Sequence, residues 1–172
     1  MMAERLRIRS SASFPELCRP LRIGAMELKN RMVMSPMTTA YCNDDHTPSE
    51  RQIRYFEERA RGGVGLINME LITVDEVHRY MHRSMTLGED RYIDHHRRLT
   101  DRIHAHGAKV QPQLSHTGPE SVAPMFGGPD PLGPSVNVAP VWGWASRTLD
   151  IAELPAIAIQ YGEAARRARE AG

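Results

Sequence analysis

Short apolar runs along the chain alternate with longer stretches in which apolar residues recur every three or four positions. The run 31–35, closed by Pro36, predicts a buried strand. Thr47-Pro48-Ser49-Glu50 then predicts a helix start, with Thr47 as cap, Pro48 at the first helical position and Glu50 completing a capping box. Ile53, Phe56 and Ala60 give that helix one apolar stripe, and Gly62-Gly63 ends it. A second strand is expected over 64–69. A second helix opens at Glu89-Asp90, with Tyr92, His96, Leu99 and Ile103 as its stripe and Gly107 as its stop. The run 109–114 predicts a third strand, weakened by Pro112, which removes one ladder donor. A Gly- and Pro-rich stretch from Ser115 to about Thr148 predicts a long loop, either a mouth over a site or a disordered flap. The last helix carries Leu154, Ile157, Ala158, Tyr161, Ala164, Ala165 and Ala168, and Pro155 blurs its start.

The resulting order is β-α-β-α-β-loop-α. Such alternation implies a parallel sheet with right-handed crossovers, and strands apolar throughout imply burial on both faces. Periodicity alone fits a doubly wound sheet and a barrel equally.

Composition adds exclusions. The formal net charge is +1, too small to suggest a field built for nucleic acid or an anionic membrane. No apolar run approaches the ~20 residues that a membrane span needs. Residues 1–13 carry Arg5, Arg7 and Arg9 without an apolar core behind them, which reads as a disordered tail ahead of a domain over 14–172. Cys18 and Cys42 are the only thiols, with no CxxC, so a disulfide framework is not expected and a cytoplasmic setting is. The histidines show no metal-ligand spacing, His104 and His106 lie two apart, and no metal is assigned.

Four segments carry more than pattern: PLRIGAMELKNRMVMSPMTT at 20–39, RYFEERARGGVGLINME at 54–70, QLSHTGP at 113–119 and AARRAREAG at 164–172. In this order and spacing the set resembles the N-terminal half of the Old Yellow Enzyme (NADH:flavin oxidoreductase) family. Its larger members, like 2,4-dienoyl-CoA reductase and trimethylamine dehydrogenase, are the nearest in pattern. The resemblance implies an α/β (β/α)8 TIM barrel, present here as about three βα units, with FMN held at the C-terminal strand ends where such barrels place their sites. It also implies NAD(P)H as electron donor and a small-molecule acceptor such as an activated alkene. By the same resemblance Ser35, Pro36, Met37 and Thr38 form the first flavin-contacting segment, with the Thr38 hydroxyl near the ring. Glu70 and Leu71 supply a second contact, made partly by backbone. The Gln113 amide offers a donor and an acceptor to the pyrimidine edge of the ring. His116 reads as structural, holding the long loop. Asn30-Arg31 falls at the bottom face and reads as packing.

Two departures stand out. Pro119 replaces the arginine that often closes the third motif. Gly172 matches the residue just before the family's fourth strand, so the His-x-x-His or His-x-x-Asn pair expected there to bind the acceptor's carbonyl is absent, and no catalytic proton donor is assigned. The expectation is therefore a portion of a flavin enzyme. The alternatives are a truncated, inactive remnant acting at most as a binding module, and an unrelated α/β domain. A half barrel leaves open strand edges, which suggests self-association.

Overall fold

A computed structural model describes residues 14–172, so the tail expectation for 1–13 lies outside the described residues. Its centre is a three-stranded parallel sheet in the order β3 (Val33–Met34), β4 (Leu66–Thr73), β5 (Lys109–Ser115). Helices α2 (Glu50–Arg61), α3 (Ile93–His104) and α4 (Leu154–Glu170) follow these strands in turn. This is an α/β chain of three successive βα units, an arc of a barrel without closure.

Register explains which residues meet the helices. Met34 pairs with Ile67 and Ile67 with Val110, and all three pack in the core with Phe56, Leu99 and Ile103. One step away, Leu66 pairs with Lys109 and Asn68 with Gln111, on the opposite face. Lys109, Gln111 and Gln113 are exposed there, so β5 alternates rather than being buried on both faces as its apolar content suggested. Only β4 reads as buried nearly throughout.

Pro112 does not break β5. The Lys109 N–H donates to the Gly65 carbonyl at 2.8 Å, so the odd-numbered residues of β5 face β4. Pro112 therefore directs its missing donor to the unpaired edge, the position where a strand tolerates proline.

The helix starts needed chemistry beyond periodicity. The cap of α2 is Ser49 rather than Thr47: its Oγ accepts from the Gln52 N–H at 3.1 Å. Thr47 is engaged one turn earlier, donating to Asp45 Oδ1 at 2.6 Å and accepting from Asn43 Nδ2 at 2.9 Å. Past α2, Gly63 takes φ +105, a conformation that favours glycine. Helix α3 is entered through a 3-10 turn at Asp90–Tyr92, and Tyr92, His96, Leu99 and Ile103 are all buried. Helix α4 follows a 3-10 turn at Ile151–Glu153, itself opened by a capping box between Asp150 and Glu153. Of its expected stripe only Ala164 is fully buried, while Leu154 and Tyr161 remain exposed. Arg97 donates to the Glu170 carbonyl at 2.9 Å, and Arg166 and Arg167 reach Asp90 at 2.6 and 2.7 Å, tying α4 to α3.

A short helix, α1 (Pro15–Cys18), and an antiparallel hairpin, β1 (Leu21–Ile23) with β2 (Met26–Leu28), lie ahead of the sheet. Asn30 follows the hairpin and donates through Nδ2 to the Gly63 carbonyl at 2.7 Å. A Cβ on Gly65 would lie 2.6 Å from the Asn30 carbonyl oxygen, so the chain passes here only with glycine. Lys29 Nζ reaches the His106 carbonyl at 2.7 Å. The bottom of the sheet is thus sealed by backbone contacts. The long stretch before α4 carries 3-10 turns and the short parallel pair β6 (Leu132–Gly133) and β7 (Arg147–Thr148), with Trp142 stacked on Trp144 at 5.8 Å. No helix among the described residues is long and apolar enough to cross a membrane.

Candidate functional site

The C-terminal ends of β3, β4 and β5 lie side by side, and the residues singled out from sequence fall there. Ser35, Pro36 and Met37 leave β3 exposed, with Met37 at 63% of its full accessibility, and Thr38 is half-buried. Leu71 pairs with Gln113 across β4 and β5. Between Asn68 and Leu71 the register slips, so Met69 and Glu70 together oppose Pro112 alone, a β-bulge. Without that extra residue, the two-residue period would send Leu71 to the helix side and break its pairing with Gln113.

The bulge also decides what Glu70 does. Its side chain is buried and its carboxylate accepts from the Thr39 N–H, from Thr39 Oγ1 at 3.3 Å and from Gln52 Nε2 on α2. No arginine or lysine pairs with it among the described residues. Burial pushes the Glu70 carboxyl above the usual carboxylate range, opposed by the Thr39 hydrogen bonds. Gln52 Oε1 is buried without a partner beside it, a ready acceptor for a protonated carboxyl. Glu70 is thus engaged inside the fold, which leaves its backbone as the group presented at the strand end. The Ser35 and Thr38 hydroxyls and the Gln113 amide, by contrast, make no side-chain hydrogen bond to another described residue. Asn68 Oδ1, on the face shared with Gln111, is buried and also unpartnered. This set of uncommitted donors and acceptors fits the polar edge of a flavin ring.

Beyond the strand ends, three residues converge that sequence spacing did not announce. Asp75 follows β4, His78 lies one turn further, and His116 follows β5. Asp75 Oδ2 lies 3.1 Å from His78 Nδ1 and 3.8 Å from His116 Nε2. The local D-x-x-H spacing was visible, but its partner comes from another strand end and only the parallel pairing brings it near. His116 also holds its loop: its Nδ1 accepts from the Gly118 N–H at 3.2 Å, and its N–H donates to the Tyr161 hydroxyl at 2.8 Å. Burial, then the neighbouring His78, push the His116 imidazole below its ordinary pKa.

Two cavities open on this end of the sheet. One, of about 410 Å³, is lined mostly by apolar groups, among them Leu132, Leu149, Leu154 and Ile157, with His116 at its wall. The other, of about 470 Å³, is charged with both signs, from Asp45, His46, Glu76, Arg79 and Arg91. His46 stands there at φ +68, uncommon for a residue with a Cβ.

Parallel strands with polar, uncommitted groups at their C-terminal ends define the class: a (β/α)-barrel portion whose site lies at the strand ends. A model of the NADH:flavin oxidoreductase / NADH oxidase family matches residues 16–172, and the chain belongs to that family. NADH oxidase of Thermoanaerobacter brockii is 36% identical over 159 residues, covering 92% of this chain and 24% of the relative. N,N-dimethylglycine/sarcosine dehydrogenase of Chromohalobacter salexigens is 30% identical over 163 residues, covering 93% of this chain and 23% of its own length. Among solved structures, the Old Yellow Enzyme homologue from Zymomonas mobilis superposes with a TM-score of 0.84 at 29% identity, covering 92% of this chain and 46% of that one. Morphinone reductase in complex with tetrahydroNAD gives 0.80 at 28% identity, over 92% and 47% of the two chains. The chain thus spans about a quarter of the length of these curated relatives. It corresponds to the N-terminal part of an Old Yellow Enzyme barrel.

Proposed function

We propose that this chain forms one wall of an FMN site in an oxidoreductase that takes hydride from NAD(P)H and passes it to an activated alkene or similar small-molecule acceptor. The observation that carries the reading is the Leu71–Gln113 pairing. It sets the free Gln113 amide at the end of β5, on the strand-end side shared with the segment after β3. Thr38 and Gln113 would hydrogen-bond the ring edge, Ser35, Pro36 and Met37 would line it, and the backbone at Glu70 and Leu71 would close the wall between them. Bound there, FMN would supply the two-electron redox chemistry that no side chain of this stretch provides. The chain's own part is to bind, orient and shield. Glu70 would act from behind, through Thr39, by fixing the path of the segment that carries Thr38.

The test is flavin retention. The chain is purified in excess FMN, passed through gel filtration and examined by visible absorption. Co-eluting flavin, lost on Gln113→Ala combined with Thr38→Ala, supports the reading. A colourless chain would favour the alternative of a remnant that at most binds a partner. Colour unaffected by the double substitution would remove these residues from the site.

A further inference from the structure

We propose that Asp75, His78 and His116 form a binding site for a divalent transition-metal ion of the zinc or cobalt kind, tying the segment after β4 to the segment after β5. Their donor atoms all lie within 4.8 Å of one another. Two of the edges are 3.1 Å and 3.8 Å. A tetrahedral ion with bonds of ~2.0–2.1 Å holds its ligands about 3.3 Å apart. Small side-chain rotations therefore close the triangle around an ion.

The carboxylate is already oriented for this. Asp75 Oδ1 accepts from the Val77 and His78 N–H groups at 2.7 and 2.6 Å, which clamps the side chain and leaves Oδ2 toward the two imidazoles. Those rings lie against each other with centroids 4.6 Å apart. The three side chains are only 12%, 14% and 8% exposed, for Asp75, His78 and His116. No lysine or arginine pairs with this sheltered carboxylate among the described residues. Two imidazoles and one carboxylate form a nitrogen-rich donor set that suits zinc or cobalt better than magnesium or calcium.

Proton placement sets what binding must change. In the ion-free arrangement the Gly118 N–H donates to His116 Nδ1, so Nε2 carries the ring proton and faces Asp75. An ion on Nε2 moves that proton to Nδ1 and displaces the 3.2 Å Gly118 bond. Gly118, at φ +58 and without a side chain, leaves the backbone free to turn there. On His78 an ion on Nδ1 replaces the 3.1 Å hydrogen bond to Asp75 Oδ2 and moves the ring proton to Nε2, a buried nitrogen that has no partner among the described residues.

The site is tested on the tag-free chain, stripped with a chelator and titrated with Co²⁺ and Zn²⁺ without flavin, so the result is independent of the flavin reading. The expected result is one ion per chain, with visible Co²⁺ absorption of a low-coordinate site that Zn²⁺ abolishes. Asp75→Asn and His78→Ala should each weaken binding by ~10–100-fold. His82→Ala and His95→Ala, outside the cluster, should leave it unchanged. Should the cluster variants fail to fold, X-ray absorption of the cobalt-loaded unmodified chain decides instead, with two imidazoles and an oxygen in the first shell. Absence of stoichiometric binding, equal affinity in Asp75→Asn, or a first shell without two imidazoles overturns the site.

Discussion

The backbone N–H of Thr39 donates to the carboxylate of Glu70, and so the segment leaving β3 is fastened to the bulge of β4. Glu70→Ala removes the acceptor and leaves the Thr39 N–H and the Gln52 amide buried without it. The expected cost is about 1–3 kcal/mol by urea denaturation at pH 7. Glu70→Gln should behave differently. The folded-state pKa of Glu70 is raised by burial. Its contribution is therefore whole below the ordinary value of 4.5 and declines as pH rises through the folded value. A neutral amide does not suffer that decline, and Gln52 Oε1 can accept from it. Glu70→Gln should be at least as stable as the natural chain at pH 7, and that advantage should shrink on acidification as Glu70 itself becomes neutral. Equal damage from Gln and Ala at pH 7 would sink this account.

Gln113 and Thr38 stand on the other side of the ledger between folding and binding. Gln113 is exposed, and neither side chain hydrogen-bonds another side chain or backbone group among the described residues. Gln113→Ala and Thr38→Ala should each change stability by no more than about 0.5 kcal/mol, the range of surface substitutions. Their effect should appear in flavin retention alone. A large drop in stability from either would show that these groups hold the fold instead.

His96 should make the chain acid-sensitive. It lies on the buried side of α3, 1% exposed, with Nε2 directed at the Thr86 carbonyl at 3.0 Å. Burial lowers its pKa from 6.5 to about 4. A neutral imidazole is therefore required by the fold. Its contribution is present above the unfolded value of 6.5 and is lost as pH falls from there toward 4. The loss is on the order of 3 kcal/mol. His96→Gln, which keeps a donor for Thr86 and cannot charge, should flatten stability between pH 7 and pH 4.5 relative to the natural chain. An unchanged slope would place the acid sensitivity elsewhere.

The legible parts of this fold were those that repeat. The stripe of Tyr92, His96, Leu99 and Ile103 was visible in sequence because burial on one helix face imposes a 3.6-residue period. The strands were visible as apolar runs, and the motif around Gln113 marked a strand end. Single-residue events were hidden. Nothing in the run from Leu66 to Thr73 signals a bulge, yet that bulge turns Glu70 inward and pairs Leu71 with Gln113. The sequence pattern placed the cap at Thr47, but Asp45 holds the Thr47 hydroxyl and Ser49 caps the helix instead. The hairpin of Leu21–Ile23 with Met26–Leu28 passed unnoticed because three-residue strands have too few positions to show a period. The approach of His116 to Asp75 depends on parallel pairing between elements far apart in sequence, which no local pattern records.

The free edge of β5 supplies the last prediction. Odd-numbered residues of β5 bond to β4, which leaves the even-numbered ones facing an edge that is unpaired among the described residues. That edge would invite a strand from a second copy, but Pro112 stands in its middle and offers no N–H. Val33, on the other outer strand, is 47% exposed and has no such guard. The isolated chain should therefore self-associate in a concentration-dependent way, through the β3 side first. Val33→Lys should reduce that association, since a charge on an outer strand opposes strand addition. Pro112→Val should increase it, by restoring a donor to the β5 edge. Sedimentation velocity across a range of concentrations reads both shifts. A chain that stays monomeric at every concentration, or a Pro112→Val variant that associates no more than its parent, would show that these edges are closed by something other than proline and charge.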